Sequence, residues 1–325
     1  MIDYRSKKWL IMQPIAGGEW QAPSPNLKWD IDCNVGLGRL LHSGASCVGN
    51  ARIDMTADIY VMLCAYPHAY EKEIEFMRTV RARGAKVVLC ISTDYKFLTG
   101  HELINSNGIL YTALCKEADV ILPGIPSHMK LFGRYQHKVI DMSLFLERIN
   151  FSLPYEQRDI DILLSGSIDR NELTLAFAIE IMLILKEKYP DKRIVYPTLR
   201  KDILQPLYPE IEFTDAKLLP HNQGLVPLLS RSKIYINPDP RPGPGRAVVE
   251  SFYCRTPYIS STMCYASKYY PDFTYDNMNF ETITNQYDKL LNSNRDEVIN
   301  KSEQLAEEDY FDKAIGRLMI KLYGE

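Results

Sequence analysis

Apolar runs of strand length recur along the chain, and stretches with helical spacing separate them. Asp58–Ala65 and Lys86–Ile91 are apolar almost without interruption. A continuous run, as opposed to an alternating one, predicts a strand covered on both faces. Between them, from Ala69 to Arg83, Ile74, Met77 and Val80 recur every third position among charges, which predicts an amphipathic helix that stops at Gly84. Trp9–Pro14 predicts a first strand emptying into a loop at Gly17 and Gly18 that continues to about Trp29. Asn34–Ala45 then reads as a helix and Cys47–Val48 as a short strand. The pattern continues with a helix at Leu110–Lys116, a strand at Ala118–Leu122, a helical turn at Ser127–Phe132 and a short strand at Lys138–Asp141.

Asn150–Arg158, reading NFSLPYEQR, is polar and interrupts the pattern as a linker. The alternation restarts with strand Asp161–Leu164, helix Glu172–Lys188, strands Arg193–Tyr196 and Ile211–Phe213, and a helix near Gly224–Ser230. From about Asp296, Glu and Lys alternate with Leu, Ile and Phe, as in one or two amphipathic helices. Strands alternating with helices predict parallel sheets flanked by helices. The expected fold class is therefore α/β, with two Rossmann-like lobes facing each other across a cleft. The expected divisions are residues 1–150, 151–305 and a closing helix at 306–325. Ligands of open α/β sheets bind beyond the carboxyl ends of the strands.

Composition narrows the partners. A formal net charge of -3 gives no global reason to expect nucleic acid. The seven cysteines are scattered without a C-x-x-C pair, which suggests buried thiols in a reducing compartment. The start, MIDYRSKKWLIMQP, has too few apolar residues for a signal peptide, and Leu173–Leu185 is too short to span a bilayer. A cytoplasmic location is expected, with peripheral membrane contact left open.

The stretch Ser232–Ser261 carries the candidate chemistry. It reads as a strand (Ile234, Ile236), a Pro/Gly loop, a short helix and a second strand (Tyr258, Ile259), with Gly243 and Gly245 just before the helix. A glycine loop feeding a helix start leaves backbone N–H groups unpaired at the positive end of the helix dipole. Such a place suits an anion, most naturally a phosphate. Glu250 follows the apolar pair Val248–Val249 and is placed to reach ligand hydroxyls. The plainer reading makes Gly243 and Gly245 a tight loop, Arg246 a solvated residue and Glu250 a surface acid. Two D-x-D matches, Asp30–Asp32 and Asp159–Asp161, precede strands instead of following them, so no metal is assigned.

These residues resemble the retaining nucleotide-sugar glycosyltransferases of the GT-B fold, in particular the family-4-like (group 1) enzymes. The resemblance is strongest over Asp161–Ser261. IYINP, Gly245, Glu250 and Cys254-Arg255-Thr256-Pro257 fall in the family's order and spacing. It implies that Glu250 binds the ribose and that the N–H groups after Gly245, with Arg246, face the diphosphate. The family's other acid stands eight residues before the helix Glu, where this chain has Pro242. Asp239 or Arg241 would approach the sugar instead. Arg255 replaces a family glycine. SGSIDRNE after the strand Asp161–Leu164 matches the basic phosphate loop and places that role on Arg170, although the family's following lysine is not evident; Arg200 and Lys201 lie elsewhere in the lobe.

In the first lobe, VMLCAYPHAY and VVLCISTDYKF look like the loops leading to the acceptor and the reaction centre, with His68 and Asp94 as their polar residues. Gly17 and Gly18 match the loop that lets backbone approach the diphosphate. Plainer readings make Arg170 a solvated first-turn residue, Asp94 a helix cap and His68 a loop residue. By resemblance 1–150 is the acceptor-side domain, 151–305 the nucleotide-sugar domain and Glu308–Tyr323 the closing helix. The implied activity is a retaining, metal-independent hexosyltransferase using a UDP- or GDP-sugar as co-substrate, with no cofactor. The acceptor would be a glycan, a lipid-linked group or another hydroxyl. The alternatives are a catalytically degenerate nucleotide-sugar-binding protein, which the missing acid at Pro242 favours, or a nucleotide-sugar epimerase of the same fold.

Overall fold

The computed structural model describes residues 3–15, 19–21, 46–47, 55–64, 70–91, 113–123, 132–141, 146, 148–165, 172–219, 224–239, 246–276 and 279–324. The chain divides into two compact units. One joins Met1–Phe145 to Asp309–Glu325, and the other is the continuous stretch Leu146–Glu308.

In the first unit, β1 (Trp9–Ile15), β3 (Ser46–Cys47), β4 (Ile59–Cys64), β5 (Lys86–Ile91) and β6 (Val120–Pro123) pair in parallel, in the order β1-β4-β5-β6 with β3 beside β1. The uninterrupted apolar runs are explained by where alternate side chains go. Tyr60, Met62, Val87 and Leu89 pack with Ile74, Met77 and Val80 of α1 (Tyr70–Ala82). Ile59, Val61 and Val88 pack on the other face with Phe311, Ile315, Leu318 and Leu322. Each such side chain, fully buried, contributes roughly 1.5–3 kcal/mol.

Two expectations for this unit change. Glu19–Gln21, expected as loop, is a strand (β2) that pairs antiparallel with β1 and gives the sheet a mixed edge. Lys138–Asp141 is no strand: Lys138 belongs to the 3₁₀ turn Gly133–Lys138, and after it only Val139 forms a bridge, to Ile121. The helix expected at Leu110–Lys116 is described over 113–117. The helix Asn34–Ala45 and most of the turn Ser127–Phe132 lie outside the described residues.

The second unit has β7 (Ile160–Leu164), α2 (Glu172–Lys188), β8 (Ile194–Thr198), α3 (Lys201–Leu207), β9 (Glu212–Asp215), α4 (Val226–Leu229), β10 (Ser232–Asn237), α5 (Arg246–Tyr253), β11 (Tyr258–Ser261), β12 (Thr274–Tyr275), α6 (Glu281–Leu291) and α7 (Arg295–Leu305). Its sheet is wholly parallel, in the order β12-β11-β10-β7-β8-β9. Counted along the unit, that is the doubly wound 3-2-1-4-5-6 order.

The expected linker is part of this unit. Phe151 N–H donates to the Tyr253 carbonyl at 2.7 Å. Arg158 is 3% exposed, and its guanidinium donates to the carbonyls of Leu153 (3.2 Å), Ser232 (2.7 Å) and Cys254 (2.7 Å) and to Thr256 Oγ1 (2.9 Å). Polar composition therefore marked a bolt that replaces apolar packing with hydrogen bonds. After Glu308 the chain returns to the first unit, where α8 (Phe311–Tyr323) covers the sheet. It ends at Gly324, whose left-handed φ of 77° lets its N–H reach the Ile320 carbonyl at 2.7 Å.

Candidate functional site

The doubly wound order fixes where a ligand would sit on the second unit. From β7 the chain winds to β8 and β9 on one side, and from β10 to β11 and β12 on the other. The crevice of such a sheet opens beyond the carboxyl ends of the two strands that separate, here past Leu164 and Asn237. The hydroxyl of Tyr235 on β10 donates to the carbonyl of Ser165 just after β7, which ties these two ends together.

Buried neutral groups hold the end of β10. Asn237 is 6% exposed; its Nδ2 donates to Cys264 Sγ at 3.3 Å and its Oδ1 accepts from Asp239 N–H at 3.0 Å. The Tyr275 hydroxyl donates to the Asn237 carbonyl at 2.8 Å. Burial pushes the Cys264 thiol up to about 11 and raises the Tyr235 phenol. Both groups stay neutral at physiological pH, so this strand end carries no charge of its own apart from what Asp239 brings.

Glu250 is fully buried on α5. Its Oε2 accepts the N–H of Leu225, the residue that opens α4, at 3.0 Å. The surface-acid reading of Glu250 does not hold; Val248 and Val249, both buried beside it, are the local signal that this turn of α5 faces inward. A carboxylate in such a place needs a donor, and the α4 start supplies one. Its charge is felt next door, where burial first and then Glu250 push the Cys254 thiol up to about 12 against the opposing Arg158.

Glu250 and Asp239 are thus described, both in the second unit, and Arg246 opens α5. The side chain of Arg246 and the whole of Arg170, Arg241, Gly245, His68, Asp94, Gly17 and Gly18 lie outside the described residues. Along the chain Arg170 follows β7, while Arg241 and Gly245 follow β10, the two strands bordering the crevice. Sequence reading missed Asn237, Cys264 and Tyr275 as a clamp. The polar Asn237 closing an apolar strand was the one visible hint.

The left-handed turn after α5 is kept by a residue that resists it. Arg255 has φ 48°, the one positive value at a non-glycine among the described residues. Its guanidinium is held by Glu303 at 2.6 Å and Asn300 at 3.2 Å, and its carbonyl accepts from Arg295 at 2.8 Å. The match Asp159–Asp161 lies at the amino end of β7. Asp159 pairs with Arg193 and Arg231, and Asp161 pairs with Lys233 at 2.8 Å. Among the described residues no group of three or more His, Cys, Asp or Glu could hold a metal, and no helix is long and apolar enough to cross a membrane.

No protein-family model matches this chain, and comparison with curated protein sequences finds no match. Solved structures do match in fold. A UDP-forming α,α-trehalose-phosphate synthase from Burkholderia xenovorans superposes with a TM-score of 0.60 at 14% identity, over 83% of this chain and 74% of that one. The E. coli trehalose-6-phosphate protein with UDP-2-fluoro glucose bound gives 0.57 at 12%, over 90% and 76%. S. aureus TarM in complex with fondaparinux, α-GlcNAc-glycerol and UDP gives 0.56 at 12%, over 82% and 55%. The chain has the GT-B fold of these glycosyltransferases.

Proposed function

We propose that this GT-B chain is a glycosyltransferase that takes a sugar from a nucleotide diphosphate donor, with UDP the first nucleotide to test, and passes it to a hydroxyl acceptor with retained configuration and without a metal. The observation that carries the reading is Glu250, a fully buried carboxylate on the helix that follows β10, beside the point where the doubly wound sheet separates. UDP in the similar structures supports the choice of probe. In this reading Glu250 takes ribose hydroxyls, and the N–H groups after Gly245 with Arg246 and Arg170 meet the diphosphate. His68 and Asp94 belong to the acceptor side, with Gly17 and Gly18 at the diphosphate. The acceptor is a sugar or other hydroxyl compound.

Breaking the glycosyl bond leaves added negative charge on the departing diphosphate. Preorganised amides, the α5 dipole and arginines would stabilise it, and losing one such group typically costs roughly 10²–10³ in rate. Calorimetric titration with UDP tests the site. Glu250→Gln keeps an acceptor for Leu225 N–H and should bind UDP at least about tenfold more weakly at little cost in stability. Glu250→Ala strands that N–H and should also lose about 1–3 kcal/mol of stability. Unchanged affinity in both removes Glu250 from the site.

Pro242, where the related enzymes carry an acid, favours a second reading: a catalytically degenerate protein that binds nucleotide-sugars. UDP binding without hydrolysis or transfer across a panel of UDP- and GDP-sugars would select it.

A further inference from the structure

β10 ends in an unusual way. The Asn237 carbonyl is taken by a phenol from β12, so the Tyr275–Asn237 bond passes across β11, which lies between them in the sheet. The next residue, Pro238, has no N–H to extend the ladder. The Asn237 side chain then does two further things. Its Oδ1 holds Asp239 N–H at 3.0 Å, an Asx turn, and its Nδ2 reaches Cys264 Sγ at 3.3 Å in the connection between β11 and β12. Three bonds of one buried residue fix the height and direction at which the chain leaves the sheet toward α5. All three bonds are made by neutral groups, and the charge beside them is the Asp239 carboxylate.

We propose that Asn237 is a positioning residue for the donor site. It touches no ligand; it sets where the chain leaves β10 at Asp239, ahead of α5. The Tyr275 hydroxyl holds Asn237 in turn. This rests on the donor-site reading above. It also makes the tyrosine-rich connection after β11 a determinant of nucleotide affinity, although its described residues are assigned no ligand contact.

The test is calorimetric titration of the full chain with UDP, and with GDP if UDP gives no heat, alongside thermal unfolding. Asn237→Leu removes both side-chain bonds and should weaken nucleotide affinity by about tenfold or more while unfolding remains cooperative. Asn237→Ser, whose hydroxyl accepts the same N–H two residues on, should recover most of that loss. Tyr275→Phe deletes one hydroxyl and no volume, and should weaken affinity by an intermediate amount. A wild type that binds nucleotide beside an Asn237→Leu variant that melts earlier but binds equally well overturns the positioning role and leaves the donor-site reading standing. If Asn237→Leu does not fold, Tyr275→Phe decides, and unchanged affinity overturns the proposal. A wild type that binds no nucleotide removes the donor-site reading and this proposal with it.

Discussion

The two ends of the second sheet are built from different chemistry. At the amino end the groups are charged: Asp159 pairs with Arg193 and Arg231, Glu212 with Arg193 at 2.7 Å, and Asp161 with Lys233 at 2.8 Å, and Arg158 is buried at the same end. At the carboxyl end of β10 an amide, a thiol and phenols hold the chain beside Asp239, with Glu250 on the helix behind them. β7 has 5 residues, so the ends stand about 16 Å apart at roughly 3.3 Å per residue. That exceeds the ~8 Å Debye length at physiological salt. Charge can therefore stabilise one end with little effect on an anion at the other. Substitutions at the amino end should change stability and leave nucleotide affinity alone; those at the carboxyl end should change nucleotide affinity, with a stability cost where a buried partner is stranded, as in Glu250→Ala.

The largest effect that would break this division comes from Arg158→Met. It leaves the carbonyls of Ser232, Cys254 and Leu153 without their donor, and an unpaired buried polar group costs about 1–3 kcal/mol. Urea unfolding should show a loss of about 3 kcal/mol or more with UDP affinity unchanged; a change in affinity of similar size would join the two ends. The burial that holds this guanidinium down to about 10, helped by the nearby Arg295 charge, also sets the direction of its alkaline pH dependence. Its folded value lies below that of the free side chain, so the folded state gives up this proton first and stability should rise as pH climbs past about 10, which urea unfolding on either side of that pH would check.

A smaller effect tests the turn after α5. Arg255→Ala and Arg255→Gly both lose the contacts to Glu303 and Asn300, but only alanine keeps a Cβ at φ 48°. Alanine should therefore be less stable than glycine by about 1–2 kcal/mol; equal stabilities would mean that the turn relaxes.

Acid titration sharpens the comparison further. Hydrogen bonds from Arg231 hold Asp159 well below its usual range, and those from Arg193 do the same for Glu212. Depressed folded values give stability that is complete above the unfolded values of 3.8 and 4.5 and is lost as pH falls through the folded ones. Circular dichroism between pH 5 and 2 should show stability falling in that direction only. The smallest effect is Asp159→Asn at neutral pH. These side chains are 37–44% exposed, and pairs of this kind usually contribute about 1 kcal/mol or less.

How much was legible in the sequence depended on how local each signal was. The buried strands could be read because both faces of each sheet are covered, which leaves Ile59–Met62 and Val87–Cys90 uniformly apolar. α3 was not legible: it is short and has Pro206 inside it. α6 was missed too, since Thr282, Asn285 and Gln286 dilute its apolar stripe. Glu250 could be placed by spacing to the glycine loop, but its burial depends on packing against α4, far away in sequence. Arg158 looked like linker because one residue's polarity says nothing of four acceptors, three of them gathered from two distant parts of the unit. The Tyr275–Asn237 bond joins residues 38 apart and leaves no trace in either local pattern.

The first unit is discontinuous, and this has a consequence for synthesis. Trp9, Ile11, Ile59, Val61 and Val88 share one sheet face, and the helix that covers it begins only at Phe311. At roughly 5–20 residues per second, translation would leave that oily surface bare for on the order of ten to forty seconds after residue 145 emerges. The second unit, being contiguous, has everything it needs to mature during that wait. A nascent chain of this kind would be expected to lean on holdase chaperones until its last helix arrives.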